Sequence, residues 1–430
     1  MSPHSVPVPG VRPSAELAKF AVTRNAFLPD RSPRAVLADP YYAPWELLAQ
    51  HLSALIDAGG LRRAVLEMPV LATDRLQGEA EWRRAYVLLG FLTHGYVWGG
   101  ETPDEVLPPQ ITVPFLRVSE HLELPPVLTY AAANLWNFSC DGDDFSDIDS
   151  LKALVTFTGT ESEAWFLLIS VAMEAKAAGI IPTMLDAFEA IKTRDYPVVV
   201  KALQELRLCI QGVGAILERM YERCDPLVFY HQIRPFLAGS KNMGAAGLPR
   251  GVLYDEGDGR GEWRQLRGGS NGQSSLIQFF DVVLGVDHRT HGSAGQKSFH
   301  DEVREYMPGP HRRFLTHVAR LGSLRELAQG DAAVRDAYTA ATAALSLFRD
   351  KHIQIVTRYI IVPSRQQHAG ARTAKEPATA RRNLASSSSE KKAKAELTGT
   401  GGTALVPFLR QARDDTLEAG RLDGVKSCSS

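Results

Sequence analysis

The strongest constraint on the fold is a long apolar stripe in the middle of the chain. From near Pro197 to about Cys224, Val200, Leu203, Leu206, Ile210, Val213 and Leu217 recur at three- and four-residue steps. That period predicts one long helix with a single apolar face, which is stable only when other elements cover it. Candidate partners follow on both sides. Thr160-Glu161-Ser162-Glu163 has the pattern of a capping box opening a helix to about Gly179, with Gly179 and Pro182 as stops. A third helix is predicted over about 272–285, carrying Leu276, Phe279, Phe280, Val283 and Leu284, and others near 311–329, 332–362 and 404–419. Upstream, 44–98 also reads as helical. There Leu47, Leu48, His51, Leu52, Leu55 and Ile56 share a face, and Gly59-Gly60 is a stop. The fold class is mainly α.

A chain of 430 residues has room for two or three domains. Residues 1–35, rich in proline, read as a loose arm, and 36–150 as a small mixed or helical domain. Residues 151–430 read as a large all-helical domain, with a polar, basic, serine-rich insert over 364–398 expected to be mobile. The acidic loop CDGDDFSD (140–147) marks the boundary. It is not an EF-hand, because Lys152 stands where the twelfth-position glutamate is required. A net charge of −1 argues against nucleic acid or an anionic membrane surface as the main partner. The four cysteines have no metal-binding spacing and suit a reducing compartment. The N-terminus lacks a signal peptide, and WFLLISVAM (165–173) is too short to span a bilayer, so a cytoplasmic location is expected.

Four motifs bear on chemistry. GGSNG (268–272) fits the nucleophile elbow of serine hydrolases, but EWRQLR before it is no convincing buried strand. It reads equally well as a polar loop at a helix N-terminus, where backbone amides can hold polar ligand atoms. GVGAIL (212–217) lies inside a helix and lacks the third glycine of a dinucleotide fingerprint. His288, His291, His300 and His311 fall in polar stretches and suit surface or capping roles. In DPLVFYHQIRPFLAG (225–239), Arg234 stands beside an apolar face of Phe229, Ile233, Phe236 and Leu237. It can snorkel to solvent or anchor a carboxylate at the rim of an aromatic pocket. In RDKHIQIVTRYIIVP (349–363), His352 lies within a stripe of Leu345, Phe348, Ile355 or Val356, and Tyr359. A buried imidazole needs a partner, and both a backbone carbonyl and a ligand in an apolar pocket remain open on spacing alone.

Taken together, the segments LPPVLTYAAANLWNF, FTGTESEAWFLLISVAMEA, FYHQIRPFLAG, GGSNGQSSLIQFFDVVLG, YMPGPHRRFL, KHIQIVTRYIIVP and GTGGT, in this order, resemble the indoleamine 2,3-dioxygenase family over about Pro40 to Arg410. The resemblance implies a haem b enzyme with a small N-terminal domain and a large helical haem domain. It implies insertion of both atoms of O₂ across the indole C2–C3 bond of L-tryptophan, giving N-formylkynurenine, in a monomeric cytoplasmic protein of the kynurenine route. His352 matches the proximal iron ligand, and its second ring nitrogen calls for a hydrogen-bond acceptor. Asp281 matches an aspartate paired with an arginine, here Arg349. Phe166 and Phe229 match the aromatic walls beside the indole, Arg234 the carboxylate anchor and Ser170 the distal serine, with no distal histidine. Tyr130 falls in a pocket-lining segment, Ser270 in the loop at the haem edge, and Thr400 in a lid that closes on substrate. One departure is Asn271, where the family pattern has alanine. The larger polar side chain keeps open a second reading, a haem protein of this fold that binds O₂ with little or no tryptophan turnover.

Overall fold

The structure is a computed structural model, and residues 15–288, 299–370 and 405–422 are described. The expected stripe forms the helix Tyr196–Glu218, in which Leu203, Leu206, Ile210 and Val213 are fully buried. It is covered by Ala332–Val356, Ile180–Thr193 and Glu161–Lys176, and Leu405–Gly420 packs in turn on Ala332–Val356. The mainly α fold class is thereby observed. The strands are few and short. Val106–Leu107 runs parallel to Val252–Gly257, which pairs antiparallel with Arg260–Arg264. Phe138–Cys140 pairs with Leu151–Ala153, so the acidic loop expected as a boundary is the connection of a small hairpin, with Lys152 on Asp141 at 2.8 Å.

Several local expectations change in detail. Thr160 does cap its helix by accepting from the Glu163 amide, but the Glu163 carboxylate reaches past it to the Phe157 and Thr158 amides. Glu163 therefore fixes the entry loop and does not close a capping box. Pro182 does not stop a helix; it sits in the first turn of Ile180–Thr193, where a missing N–H costs nothing. The 44–98 region breaks at His51, so Leu47 is exposed while Trp45, Ala49, Leu52 and Ile56 are buried. The 311–329 region is two helices, Gly309–Val318 and Leu324–Gly330. Within the stretch read as a loose arm, Leu17, Val22, Phe27 and Leu28 are buried, and Phe27 packs on Phe279, His311 and Phe314. One continuous core thus runs through both expected domains. By length and composition alone Glu161–Thr193 could cross a membrane, but it forms two helices that are mostly buried inside the protein.

Candidate active site

Three helical segments widen into a π turn where they reach the same cavity: Ala131–Leu135, Phe229–Ile233 and Thr357–Ile361. Two of the three have a visible cause. Pro235 and Pro363 stand two residues beyond them, and each lacks the N–H that would continue an α-helix while its ring crowds the carbonyl four residues back. Widening the turn relieves that crowding, and the preceding amides bond instead to Phe229 O and Thr357 O. The Ala131–Leu135 turn has no proline. Such turns recur at functional sites because they re-aim side chains. Here they place Asn134, Phe229, Arg234 and Tyr359 on the cavity wall.

The same wall brings together Tyr130, Phe166, Ser170, Phe229, Arg234, Ser270, Asp281, Arg349 and His352, residues from five separate segments. The space among the lining atoms is about 1830 Å³, part of it open to solvent, and the lining is largely apolar. Thr400 lies outside the described residues, as does the 371–404 stretch that holds most of the expected insert. Asn271 lines the cavity from an exposed position.

His352 is partly buried and lines this cavity. Burial, with Arg349 nearby, lowers its pKa to about 4, so the ring is neutral. Among the described residues neither ring nitrogen has a hydrogen-bond partner. The core-histidine reading, which needs a carbonyl partner, is therefore not met. Nor is the acceptor expected behind the second nitrogen found among the described residues. A neutral imidazole with free lone-pair capacity facing an apolar cavity has the donor chemistry of an axial haem ligand.

The Asp281–Arg349 pair forms as expected, both side chains nearly buried. It belongs to a larger cluster. His288, placed on the surface by its sequence surroundings, lies 2.9 Å from Asp415 and 3.2 Å from Asp281, while Arg349 also donates to Thr416 at 2.8 Å. His300 stacks on His288 with ring centroids 3.8 Å apart. Burial would raise the Asp281 carboxyl, but Arg349 and His288 outweigh it and hold it well below the usual carboxylate range. Burial would likewise lower His288, and the two carboxylates raise it instead. Asp281, His288 and His300 bring donor atoms within 4.8 Å of one another. With Arg349 on one Asp281 oxygen and Asp415 on Nδ1 of His288, they form an ion-pair network that joins Leu405–Gly420 to the helices around His352. Surface roles fail for His311 as well: it is buried and bonded to Ser275 at 2.9 Å. His291 lies outside the described residues.

Arg234 is 4% exposed, and burial lowers its pKa to about 10 against the influence of Tyr230, so it stays cationic. Its guanidinium lies 5.8 Å from the Tyr230 ring centroid, and it lines the cavity together with Phe229, which packs edge-on against Phe166 at 5.0 Å. The loop with Ser270 is pressed against this segment. A Cβ on Gly268 would lie 2.0 Å from Leu237 O, so only glycine allows the approach. Ser270 accepts from the Gly272 amide at 3.3 Å and has no histidine partner among the described residues, which argues against the hydrolase reading. Behind the wall, Glu174 accepts from Tyr130 at 3.1 Å and Ser274 at 2.7 Å, and burial raises its pKa to about 7. His94 ties the two sides together: Nδ1 donates to Phe236 O at 2.6 Å and Nε2 accepts from the Leu128 amide at 3.2 Å. Sequence reasoning missed Asn134, Glu174, His94, His288 and Asp415. Glu174 could have been found, since it falls on the buried face of a helix already predicted; the others needed partners distant in sequence.

The sequence profile of the indoleamine 2,3-dioxygenase family matches residues 16–419. The chain is 41% identical to indoleamine 2,3-dioxygenase nanC of Aspergillus nanangensis, covering 95% of this chain and 98% of that protein. It is 38% identical to indoleamine 2,3-dioxygenase of Saccharomyces cerevisiae over 95% and 94% of the two chains. It is 39% identical to 6-hydroxytryptophan 2,3-dioxygenase fscD of Fusarium equiseti over 92% and 95%.

Proposed function

The chain belongs to the indoleamine 2,3-dioxygenase family, and from that premise we propose that it opens the indole ring of L-tryptophan with O₂ on a haem b ligated by His352, giving N-formylkynurenine. The observation that carries the assignment of the iron ligand is the neutral imidazole of His352, unpartnered among the described residues and lining a largely apolar cavity. When bound, the haem supplies a ferrous iron that activates O₂.

The chain's own residues bind, orient and exclude water. Arg234 is buried and cationic, so a substrate carboxylate gains a charge-assisted contact in a site with little competing water. Phe166 and Phe229, set edge to face, give the indole a flat apolar slot. Anchoring the amino-acid end while confining the ring fixes which carbons are presented, and such positioning lowers a barrier without any proton transfer. No distal base is required, because the overall change adds both atoms of O₂ to tryptophan and releases no proton. Ser170 supplies a hydroxyl at the ring end of the slot, and Ser270 supplies one at the loop that borders it. Arg349 and Asp281 hold the His352 helix against Ser275–Leu284, which sets the height of the imidazole in the cavity. Tyr130 and Ser274 both donate to Glu174, whose carboxyl is pushed up to about 7 by burial, and this hydrogen-bonded array closes the wall behind the slot.

The test is an absorption spectrum of the reduced, haem-supplemented protein, followed by L-tryptophan and air. A haem Soret band with formation of N-formylkynurenine is the expected result. A Soret band with no product across a wide tryptophan range would assign the fold to O₂ binding alone. A protein that takes up no haem would overturn the reading of His352.

A further inference from the structure

The cavity wall proposed above to face the indole ring carries more hydrogen-bond acceptors than tryptophan can satisfy. Asn134 is 5% exposed, and its Nδ2 donates to Leu167 O at 3.0 Å, which fixes the amide orientation. Its Oδ1 is left without a partner among the described residues, yet it is not sealed from the cavity that Asn134 lines. The Ala131–Leu135 π turn aims it there. Ser170 stands three residues beyond Leu167 on the same helix, hence on the same face, and also lines the cavity. Its hydroxyl is within reach of the Tyr130 hydroxyl, whereas Asn134 Oδ1 has no such neighbour on a stretch of wall that includes Ala133, Phe166 and Leu167.

An indole offers a single donor, its N–H. Ser170 can accept a hydrogen bond from it, and the carbonyl of Asn134 is then buried against C–H groups with its hydrogen-bonding capacity unmet, which costs binding free energy. A hydroxyl on the benzo ring supplies the missing donor. Resting on the dioxygenase reading above, we propose that Asn134 is a specificity-determining residue and that this site takes a ring-hydroxylated tryptophan, whose hydroxyl donates to Asn134 Oδ1. The Fusarium relative is named for 6-hydroxytryptophan, which sets the first position to test.

The haem-loaded enzyme is assayed for product from L-tryptophan, 6-hydroxytryptophan and 6-fluorotryptophan, the fluorine matching the hydroxyl in size but donating nothing. In the wild type, kcat/KM for the hydroxy compound should exceed that for the fluoro compound at least tenfold. In Asn134→Leu, which keeps the branched shape while removing both polar atoms, that ratio should fall by about fivefold or more. A wild-type ratio near one, or a ratio unchanged in the variant, overturns the role of Asn134 and leaves tryptophan dioxygenation standing. Turnover of none of the three substrates overturns the dioxygenase reading and this inference with it. If Asn134→Leu does not load haem, the same ratio in Asn134→Ala decides, and a ratio unchanged from the wild type overturns the role of Asn134.

Discussion

Acid should loosen the frame of the active site through one histidine. His94 is buried, and its two ring nitrogens have opposite jobs, Nδ1 donating to Phe236 O and Nε2 accepting from the Leu128 amide. A second proton on Nε2 would face an N–H, donor against donor. Burial, partly offset by the Phe236 carbonyl, accordingly lowers its pKa to about 4. The unfolded chain accepts a proton near the ordinary value of about 6.5. A base depressed in the folded state contributes its full stability above the unfolded pKa and loses it as pH falls toward the folded pKa. Between pH 7 and pH 5 the loss from His94 alone comes to about 2 kcal/mol. The assay is urea unfolding of the haem-loaded protein at both values, for the wild type and for His94→Gln, whose amide can donate and accept without titrating. The variant loses stability at both pH values, so only the pH-dependent difference is read. That difference should be smaller in His94→Gln by about 2 kcal/mol. An equal pH dependence in the two proteins would refute the reasoning. Phe236 is two residues from Arg234 and Leu128 two from Tyr130, so the same protonation strains both sides of the candidate site.

Three further outcomes follow from the site. His352→Ala should purify with haem well below stoichiometry, read from the Soret absorbance per protein; a normal band would show that another residue holds the iron. Arg234→Ala should raise KM for tryptophan roughly thirty- to thousandfold, from about 2–4 kcal/mol for a lost charge-assisted contact, and an unchanged KM would sink the anchor role. Asp281→Asn leaves the buried Arg349 and His288 facing one fewer carboxylate. Breaking a buried pair from one side typically costs about 3–5 kcal/mol, so a loss of urea stability under about 1 kcal/mol would mean that the cluster is solvated in solution.

The parts of this protein that were legible in its sequence are those governed by local periodicity or by a family pattern. Leu203, Leu206, Ile210 and Val213 could be assigned to a buried face because a helix of 23 residues repeats its stripe several times. The 44–56 region offers only two short helices with a break at His51, and a stripe carried across that break puts Leu47 inside when it is exposed. The family pattern named Asp281 and Arg349, but not that the cluster extends to Asp415, 127 residues from His288 in sequence. Burial of a polar side chain depends on such distant partners, which is why His288 and His311 looked like surface residues. Pro235 and Pro363 show the limit in another way. By local rules each reads as helix punctuation, a place where structure ends. In the fold each follows a widened turn that swings Arg234 or Tyr359 onto the cavity wall. The residue that breaks the regular helix is thus what shapes the slot, and replacing Pro235 by alanine would favour an ordinary α-turn and carry the Arg234 guanidinium away from the position the carboxylate anchor requires.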